Sequence, residues 1–272
     1  MQDSFQQHML QAISAAVAAG EAILNAYRKP GLHQEIKKDL SPVTEADLAA
    51  HKIIADHLLH TGLPILSEEG KNIPFEERRN WRQFWLVDPL DGTREFLGRN
   101  GEFTVNIALI EGQKPIMGIL YAPCLDLVYF SDLKAGAYRM EACSKRWHEI
   151  RNVGELMEAS EKLPLKNTGH PYRVVASRSH INQETEDYIR DLKNAHPGLE
   201  VLSRGSALKF CQLAEGSADV YPRFGPTMEW DTGAGHAIAL ASGCRLTLHN
   251  SADSLVYNKE SLLNPWFIVQ RD

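Results

Sequence analysis

Two aspartates, Asp88 and Asp91, stand close together in the run Trp85-Leu86-Val87-Asp88-Pro89-Leu90-Asp91-Gly92-Thr93. An apolar stretch leads into them and a Gly-Thr pair follows. The pattern predicts a strand that ends in two carboxylates and then turns into a helix. Hard divalent cations take oxygen ligands, and Mg²⁺ in particular favours a few carboxylates together with phosphate oxygens and water. A helix N-terminus attracts anions through its unpaired amides. Carboxylates and a helix start in one turn can therefore hold metal and phosphate side by side, which is the arrangement phosphate chemistry needs.

Three further acids stand at element boundaries: Asp47, Glu68 and Asp231. Glu68 follows the apolar strand Pro64-Ile65-Leu66-Ser67, so it can reach the same sheet edge as Asp88. The carbonyl of Leu90 lies in the same turn and can add a neutral oxygen ligand. Each acid also has a purely structural reading. Asp47 fits the N3 acid of a capping box that opens at Thr44. Asp231, after Trp230, fits an N-cap. Glu68 alone reads as a solvated strand end. The run from Asp88 to Thr93 differs from these because two acids, a proline, a glycine and a threonine all suit one purpose.

The elements that position these groups follow from periodicity. Residues 3–28 carry Phe5, Met9, Ile13, Val17 and Leu24 at helical spacing. A second helix is predicted from the Thr44 cap to about His60. Gly70 to Arg82 is polar and reads as loop. Val105 to Ile110, Ile116 to Tyr121, Leu127 to Phe130 and Ala137 to Met140 read as strands joined by short turns, a largely antiparallel meander. Periodicity fades near 150–170, which places a boundary between an N-terminal lobe, 1–160, and a C-terminal lobe, 161–272. The second lobe alternates strand and helix: Arg173 to Ala176, Gln183 to Lys193, Leu199 to Leu202, Ala207 to Glu215, Asp219 to Tyr221, Asp231 to Ser242, then Cys244 to Leu248 and Phe267 to Val269. Such alternation implies a layered α/β class.

Composition sets limits. The chain has 272 residues and 43% hydrophobic residues, enough for two lobes with a sizeable core. A net charge of −6 repels nucleic acid polymers, so an anionic substrate needs local positive charge. The N-terminus lacks a basic segment followed by an apolar run, so no signal peptide is expected. No stretch is expected to span a bilayer. Cys124, Cys143, Cys211 and Cys244 are widely and irregularly spaced, which predicts reduced thiols and no zinc site.

Three motifs in order, Ser67-Glu68-Glu69, Asp88-Pro89-Leu90-Asp91-Gly92-Thr93 and Trp230-Asp231 with Ala234-Gly235, make the chain resemble the lithium-sensitive, Mg²⁺-dependent inositol-monophosphatase-like phosphatases. Within them it is most similar to the bacterial CysQ-type 3′(2′),5′-bisphosphate nucleotidases. That likeness is carried by Ser41-Pro42-Val43-Thr44, Asn100-Gly101-Glu102-Phe103-Thr104-Val105-Asn106, Ser177-Arg178-Ser179-His180, Leu208-Lys209-Phe210-Cys211 and Tyr221-Pro222-Arg223-Phe224-Gly225-Pro226. Gly233 departs from the subgroup's usual alanine, at a helix-propensity cost of ~1 kcal/mol at most. Glu229 is also unusual and has no assigned role.

The resemblance implies an α-β-α-β-α sandwich and a two-metal phosphatase. Glu68, Asp88 and the Leu90 carbonyl would hold one Mg²⁺, and Asp88, Asp91 and Asp231 a second. Water would be the nucleophile, oriented by Thr93 with Asp47 accepting from its hydroxyl. The amides of Gly92 and Thr93 would bind phosphate oxygens, and Glu68, Leu90, Asp91 and Asp231 would also border the substrate. Ser206, Lys209 and Arg223 would contact the adenylate part, and His180 the base or ribose. Lys37 occupies the place of a loop lysine of the family and reads equally well as a solvated charge. The implied reaction is hydrolysis of the 3′-phosphate of adenosine 3′,5′-bisphosphate to AMP and phosphate, in sulfur metabolism. The implied location is the cytoplasm, with peripheral attachment to the inner membrane left open, as is the oligomeric state.

Rival readings are an inositol or other sugar monophosphatase on the same scaffold, and a non-catalytic phosphate- or metal-sensing protein. Two lookalikes fail. Gly233-Ala234-Gly235 has isoleucine where a dinucleotide fingerprint needs its third glycine. Asp91-Gly92-Thr93 has Pro89 where phosphatases that form an aspartyl-phosphate need an acid. No P-loop run is present.

Overall fold

The computed structural model of the chain describes residues 2–29, 34–36, 42–165, 169, 171–178 and 181–271. Lys37 and His180 lie outside the described residues. Helix α1 (Gln2–Tyr27) and helix α2 (Glu45–Leu58) form one outer layer. Strands β1 (Gln34–Ile36) and β2 (Pro42–Thr44) pair antiparallel before α2. The N-terminus of α2 is fixed by the predicted capping box. Thr44 Oγ1 accepts from the Ala46 N–H, and the Thr44 N–H donates to Asp47 Oδ2 at 2.8 Å.

The second layer is a seven-stranded sheet that follows chain order. It comprises β3 (Ile65–Ser67), β4 (Gln83–Asp91), β5 (Thr104–Glu111), β6 (Lys114–Ala122), β7 (Leu127–Asp132), β8 (Gly136–Glu141) and β9 (Glu161–Lys162). β3 runs parallel to β4, and the remaining neighbours pair antiparallel. Alternation along β4 splits the core in two. Trp85 and Val87 join the cluster under α1 and α2, whereas Phe84 and Leu86 join the cluster on the opposite face.

Short helices punctuate this half: α3 (Phe75–Arg78), α4 (Thr93–Leu97), α5 (Cys143–Arg146) and α6 (Val153–Glu158). The expected loop from Gly70 to Arg82 therefore contains a helical turn, and the stretch near 150–170 without clear periodicity contains one, α6, with α5 just before it. Elements this short present too little apolar repeat to read.

After β9 the chain builds a five-stranded sheet in the order β11-β10-β12-β14-β13, from β10 (Arg173–Ser177), β11 (Glu200–Arg204), β12 (Val220–Arg223), β13 (Cys244–Leu248) and β14 (Phe267–Arg271). Helix α7 (Gln183–Ala195) covers its outer face, where Ile189 meets Val174, Ala176 and Val220. Helices α8 (Leu208–Glu215) and α9 (Glu229–Ala241) fill the layer between the sheets, against Val175, Tyr221, Phe267 and Val269 on one side and Leu86, Ala108 and Leu120 on the other. The result is an α-β-α-β-α sandwich.

α9 lies unusually low on the first sheet. A Cβ at Gly118 in β6 would sit 2.3 Å from the Ala234 carbonyl oxygen, and one at Gly233 would sit 2.9 Å from Leu86 Cδ2 and 3.2 Å from Ala108 Cβ. Gly233 is thus a packing requirement of this close approach, a reason that helix propensity alone does not supply.

One sequence expectation needs correction. Among the described residues, the 24-residue stretch Ser4–Tyr27 of α1, which holds an 18-residue window of mean hydropathy 1.3, is long and apolar enough to cross a bilayer by length and composition. Its Met9, Ala12, Ile13, Ala16, Ala19 and Ile23 are instead buried in the core with Ala46, Ala50 and Ile54 of α2. A run rich in alanine passes a hydropathy average while serving as a core helix.

Candidate active site

Parallel pairing of β3 with β4 sets Ser67 opposite Val87, and the Glu68 N–H donates to the Val87 carbonyl at 3.1 Å. Glu68 and Asp88 therefore leave adjacent strand ends together. β4 runs on through both carboxylates to Asp91, with an irregularity between Asp88 and Asp91. Asp88 pairs with Asn106 and Asp91 with Thr104, so three steps on β4 match two on β5. The extra residue is a bulge, which resets the phase of the strand. Asp88 and Asp91 would otherwise point to opposite faces; the bulge turns both to the face of Asn106. Asn106 Nδ2 donates to Asp91 Oδ2 at 3.3 Å, and Thr104 Oγ1 in turn donates to Asn106 Oδ1 at 2.9 Å. This orienting pair was not recognised from the sequence, although Asn106 lies in one of the quoted motifs.

Within the turn, the Leu90 N–H donates to Asp88 Oδ1 at 3.1 Å. Gly92 has φ 92°, a left-handed conformation that suits glycine, and it starts α4. Thr93 Oγ1 is 3.4 Å from Asp47 Oδ1 and 3.5 Å from the Leu90 carbonyl oxygen. Asp47 thus serves its own helix cap through Oδ2 and faces Thr93 through Oδ1. Asp231 is not the N-cap of α9 but its third residue, and its Oδ2 accepts from the Met228 N–H at 2.9 Å.

One cavity of about 260 Å³ gathers the candidates from both halves of the chain. Glu68, Asp91, Gly92, Thr93 and Asp231 line it together with Ser206, Lys209 and Arg223, and a Cβ at Gly92 would sit 3.2 Å from Ser206 Cβ. Asp47 and Asp88 are almost wholly buried behind it. Burial raises the Asp47 carboxyl to about 6 against the opposing hydrogen bonds from Thr44. Burial raises Asp88 well above the usual range, and Glu68, Asp91, Asp231 and Asp47 add repulsion. Burial likewise lifts Asp91 to about 6, opposed by Lys209 and Asn106. Asp231 is lifted to about 8 by burial and then by Asp91. These acids repel one another, and the cost of ionising them together is unmet by protein cations alone.

Among the described residues no three acidic, histidine or cysteine side chains already form a closed metal cage. The fit of a cation rests on donor chemistry: a buried set of hard oxygens carrying excess negative charge is what Mg²⁺ takes.

Positive side chains line the same cavity. Lys209 is buried, and burial lowers its ammonium to about 8 although Asp91 favours the charge. Its Nζ donates to the carbonyls of Ser206 and Arg204. Arg223 is buried too. One of its terminal nitrogens donates to the Pro226 carbonyl at 2.8 Å, while its Nε has no hydrogen-bond partner among the described residues. An unpaired buried guanidinium donor is an anion receptor in waiting. Ser206 has φ 44°, and its hydroxyl lies 3.3 Å from that of Thr104, whose proton goes to Asn106. Glu102 braces this turn across the two halves: it accepts from the Gly205 N–H at 2.7 Å and pairs with Arg178 at 3.0 Å. Glu102 also was not singled out as a site residue from the sequence.

Comparison with known proteins agrees with this geometry. Residues 6–266 match the model of the inositol monophosphatase family. A Salmonella typhimurium protein named 3′(2′),5′-bisphosphate nucleotidase CysQ is 44% identical over 265 residues, covering 95% of this chain and 98% of its own. The protein of the same name from Haemophilus influenzae is 33% identical over 99% of this chain. The crystal structure of CysQ from Bacteroides thetaiotaomicron, described as a bacterial member of the inositol monophosphatase family, superposes with a TM-score of 0.92, 49% identity and 98% coverage of both chains. A motif order, a five-layer sandwich and near-full-length similarity lead to one statement: this chain belongs to the inositol monophosphatase family.

Proposed function

We propose that the chain is a Mg²⁺-dependent phosphoric monoester hydrolase that removes the 3′-phosphate of adenosine 3′,5′-bisphosphate, giving AMP and phosphate. The observation that carries this reading is one cavity that gathers carboxylates with Lys209 and Arg223, whose Nε finds no hydrogen-bond partner among the described residues. A substrate with two phosphates can engage the carboxylate-bound ions and these two cations at once; a simple monoester leaves the cations unmet. The names of the relatives support the same nucleotide.

Glu68, Asp88 and the Leu90 carbonyl would hold one Mg²⁺, and Asp88, Asp91 and Asp231 a second. Bound there, the ions supply positive charge to phosphate oxygens and make water a better nucleophile. The side chains do the rest. Thr93 Oγ accepts from the attacking water and passes its own proton toward Asp47 Oδ1 in a hydrogen bond. Water oxygen bonds to phosphorus as the bond to the 3′-oxygen breaks, and that oxygen takes up a proton from solvent water to leave as the hydroxyl of AMP. The amides of Gly92 and Thr93 at the start of α4 hold phosphate oxygens. Lys209, Arg223 and Ser206 anchor the second phosphate. The nucleotide is a by-product of sulfate activation, which places the reaction in sulfur metabolism and in the cytoplasm.

The test is phosphate release from adenosine 3′,5′-bisphosphate and from inositol 1-phosphate, each with and without Mg²⁺. Release from the nucleotide that depends on Mg²⁺ and exceeds release from the inositol ester is expected. Equal or faster turnover of the inositol ester makes the chain a sugar monophosphatase. No release from either at saturating Mg²⁺ makes it a sensing protein.

A further inference from the structure

Glu229, the first residue of α9, has no contact with the cavity, yet its carboxylate is completely buried (0% exposed). It accepts from the Asn258 N–H at 2.6 Å, the Lys259 N–H at 3.0 Å and Lys259 Nζ at 2.5 Å. On the other side of the same residues lies Arg78, at the end of α3 and only 3% exposed. Its guanidinium donates to Asn258 Oδ1 at 2.9 Å, the Lys259 carbonyl at 2.6 Å and the Glu260 carbonyl at 2.9 Å. Asn258 Nδ2 donates back to the Arg78 carbonyl at 2.7 Å. Asn258 itself has φ 62°. The neighbouring chain is tied to α9 as well: the Glu229 N–H donates to the Leu262 carbonyl at 2.9 Å, and Asn264 Nδ2 donates to the Met228 carbonyl at 2.8 Å.

The two charged residues belong to the segments that carry Glu68 and Asp231. Arg78 closes the excursion that starts at Glu68, and Glu229 stands two residues before Asp231. Burying a carboxylate and a guanidinium returns little net stability against a packed apolar alternative. What such a network gives is a fixed geometry. We propose that Asn258–Glu260 act as a buckle that grips Arg78 and Glu229 at once, holds Glu68 and Asp231 at a set separation, and thereby sets the affinity for Mg²⁺. Arg78, Asn258 and Glu229 are then positioning residues. The inference rests on the assignment of Glu68 and Asp231 as Mg²⁺ ligands.

The test is calorimetric titration of Mg²⁺ alone into the full chain, unsubstituted and with Asn258→Gly or Asn258→Asp. Glycine keeps the left-handed backbone and both amides that Glu229 accepts, and removes only the side-chain arm to Arg78. Asn258→Gly is expected to unfold cooperatively and to weaken Mg²⁺ binding about tenfold, the scale of other outer-shell changes at metal sites. Asn258→Asp, which retains an acceptor for Arg78, is expected to recover most of the affinity. At saturating Mg²⁺ the KM for the nucleotide should stay within about twofold, because the buckle lies away from the second phosphate. Unchanged Mg²⁺ affinity in folded Asn258→Gly, even with a lowered melting temperature, overturns the coupling and leaves only a structural role. Absence of Mg²⁺ binding by the unsubstituted chain overturns the ligand assignment and the coupling with it.

Discussion

The hydroxyl of Thr93 lies 3.4 Å from Oδ1 of Asp47, while Oδ2 of the same carboxylate accepts from both the N–H and the hydroxyl of Thr44. One side chain therefore serves a helix cap and faces Thr93, and its structural duty and the proposed chemical one can be separated by substitution. Thr44→Ala should lower stability by about 1 kcal/mol, the usual cost of a lost N-cap, and leave kcat nearly intact. Thr93→Val should leave the melting temperature within a degree or two and reduce kcat by about 10²–10⁴, the range of a lost proton-transfer partner. Steady-state assays paired with thermal melts check both. Full activity in Thr93→Val would remove the threonine from the mechanism.

The acids of the cavity should oppose folding when no cation is present. The folded-state carboxyl of Asp91 is raised to about 6, so the folded chain binds its proton more tightly than the unfolded chain does. Its contribution favours the fold at low pH and is lost as pH climbs from the ordinary carboxylate value through 6. At neutral pH the penalty is complete. Asp91→Asn should therefore raise the melting temperature in chelator while abolishing phosphatase activity. Added Mg²⁺ should raise the melting temperature of the unsubstituted chain by mass action and that of the variant less. A variant that melts lower in chelator and responds fully to Mg²⁺ would show that Asp91 binds no ion.

Lys209 and Arg223 both line the cavity. Lys209→Ala and Arg223→Ala should raise KM for the bisphosphate nucleotide by about 10–100-fold, the cost of an unpaired charged contact. The loss for inositol 1-phosphate should be small, since that ester has no second phosphate to present. Equal losses for both substrates would place these cations on the scissile phosphate instead.

The short-range part of this site was legible and the long-range part was not. The run from Asp88 to Thr93 announces itself because its acids, proline and glycine are contiguous, and the Thr44–Asp47 cap because its spacing is fixed. The α/β alternation of the second half was equally plain in its apolar runs. The bulge that turns Asp88 and Asp91 to one face depends on how β4 meets β5, and no window along β4 contains that partner. Asn106, Glu102 and Glu229 read as ordinary polar residues until strands and helices distant in sequence are packed together. Arg78 was hidden for a further reason: the helical turn that presents it spans only Phe75–Arg78.

The close seat of α9 makes a sharp packing prediction. A methyl group at Gly118 has a backbone carbonyl, Ala234 O, as its nearest neighbour at 2.3 Å, so no side-chain rotation can relieve the clash. Gly118→Ala must push α9 away from β6. Overpacking of this kind typically costs about 1–3 kcal/mol. Because Asp231 rides on the first turn of α9, the same substitution should weaken Mg²⁺ activation as well as stability. Denaturant melts and Mg²⁺ activation curves measured together check this, and an unchanged activation curve would mean that α9 pivots about its N-terminus.

His236, on the inner face of α9, is buried and neutral. Its Nδ1 is 2.9 Å from the Tyr257 hydroxyl, its Nε2 is 3.3 Å from Ser254 Oγ, and burial lowers it to about 3. The unfolded chain therefore binds this proton more tightly. The contribution of His236 to stability is complete above about pH 6.5 and is lost as pH falls from there toward 3, by up to ~1.4 kcal/mol per pH unit. The raised carboxylates change stability with the opposite sign over part of this range, so the comparison must be with a variant that keeps them. In His236→Gln they are retained and largely cancel from the difference. The stability gap between the unsubstituted chain and His236→Gln, from urea unfolding at pH 7.5, 6.0 and 5.0, should narrow at each step. A gap independent of pH would mean that the ring is protonated inside the fold, with the Tyr257 and Ser254 oxygens accepting from it.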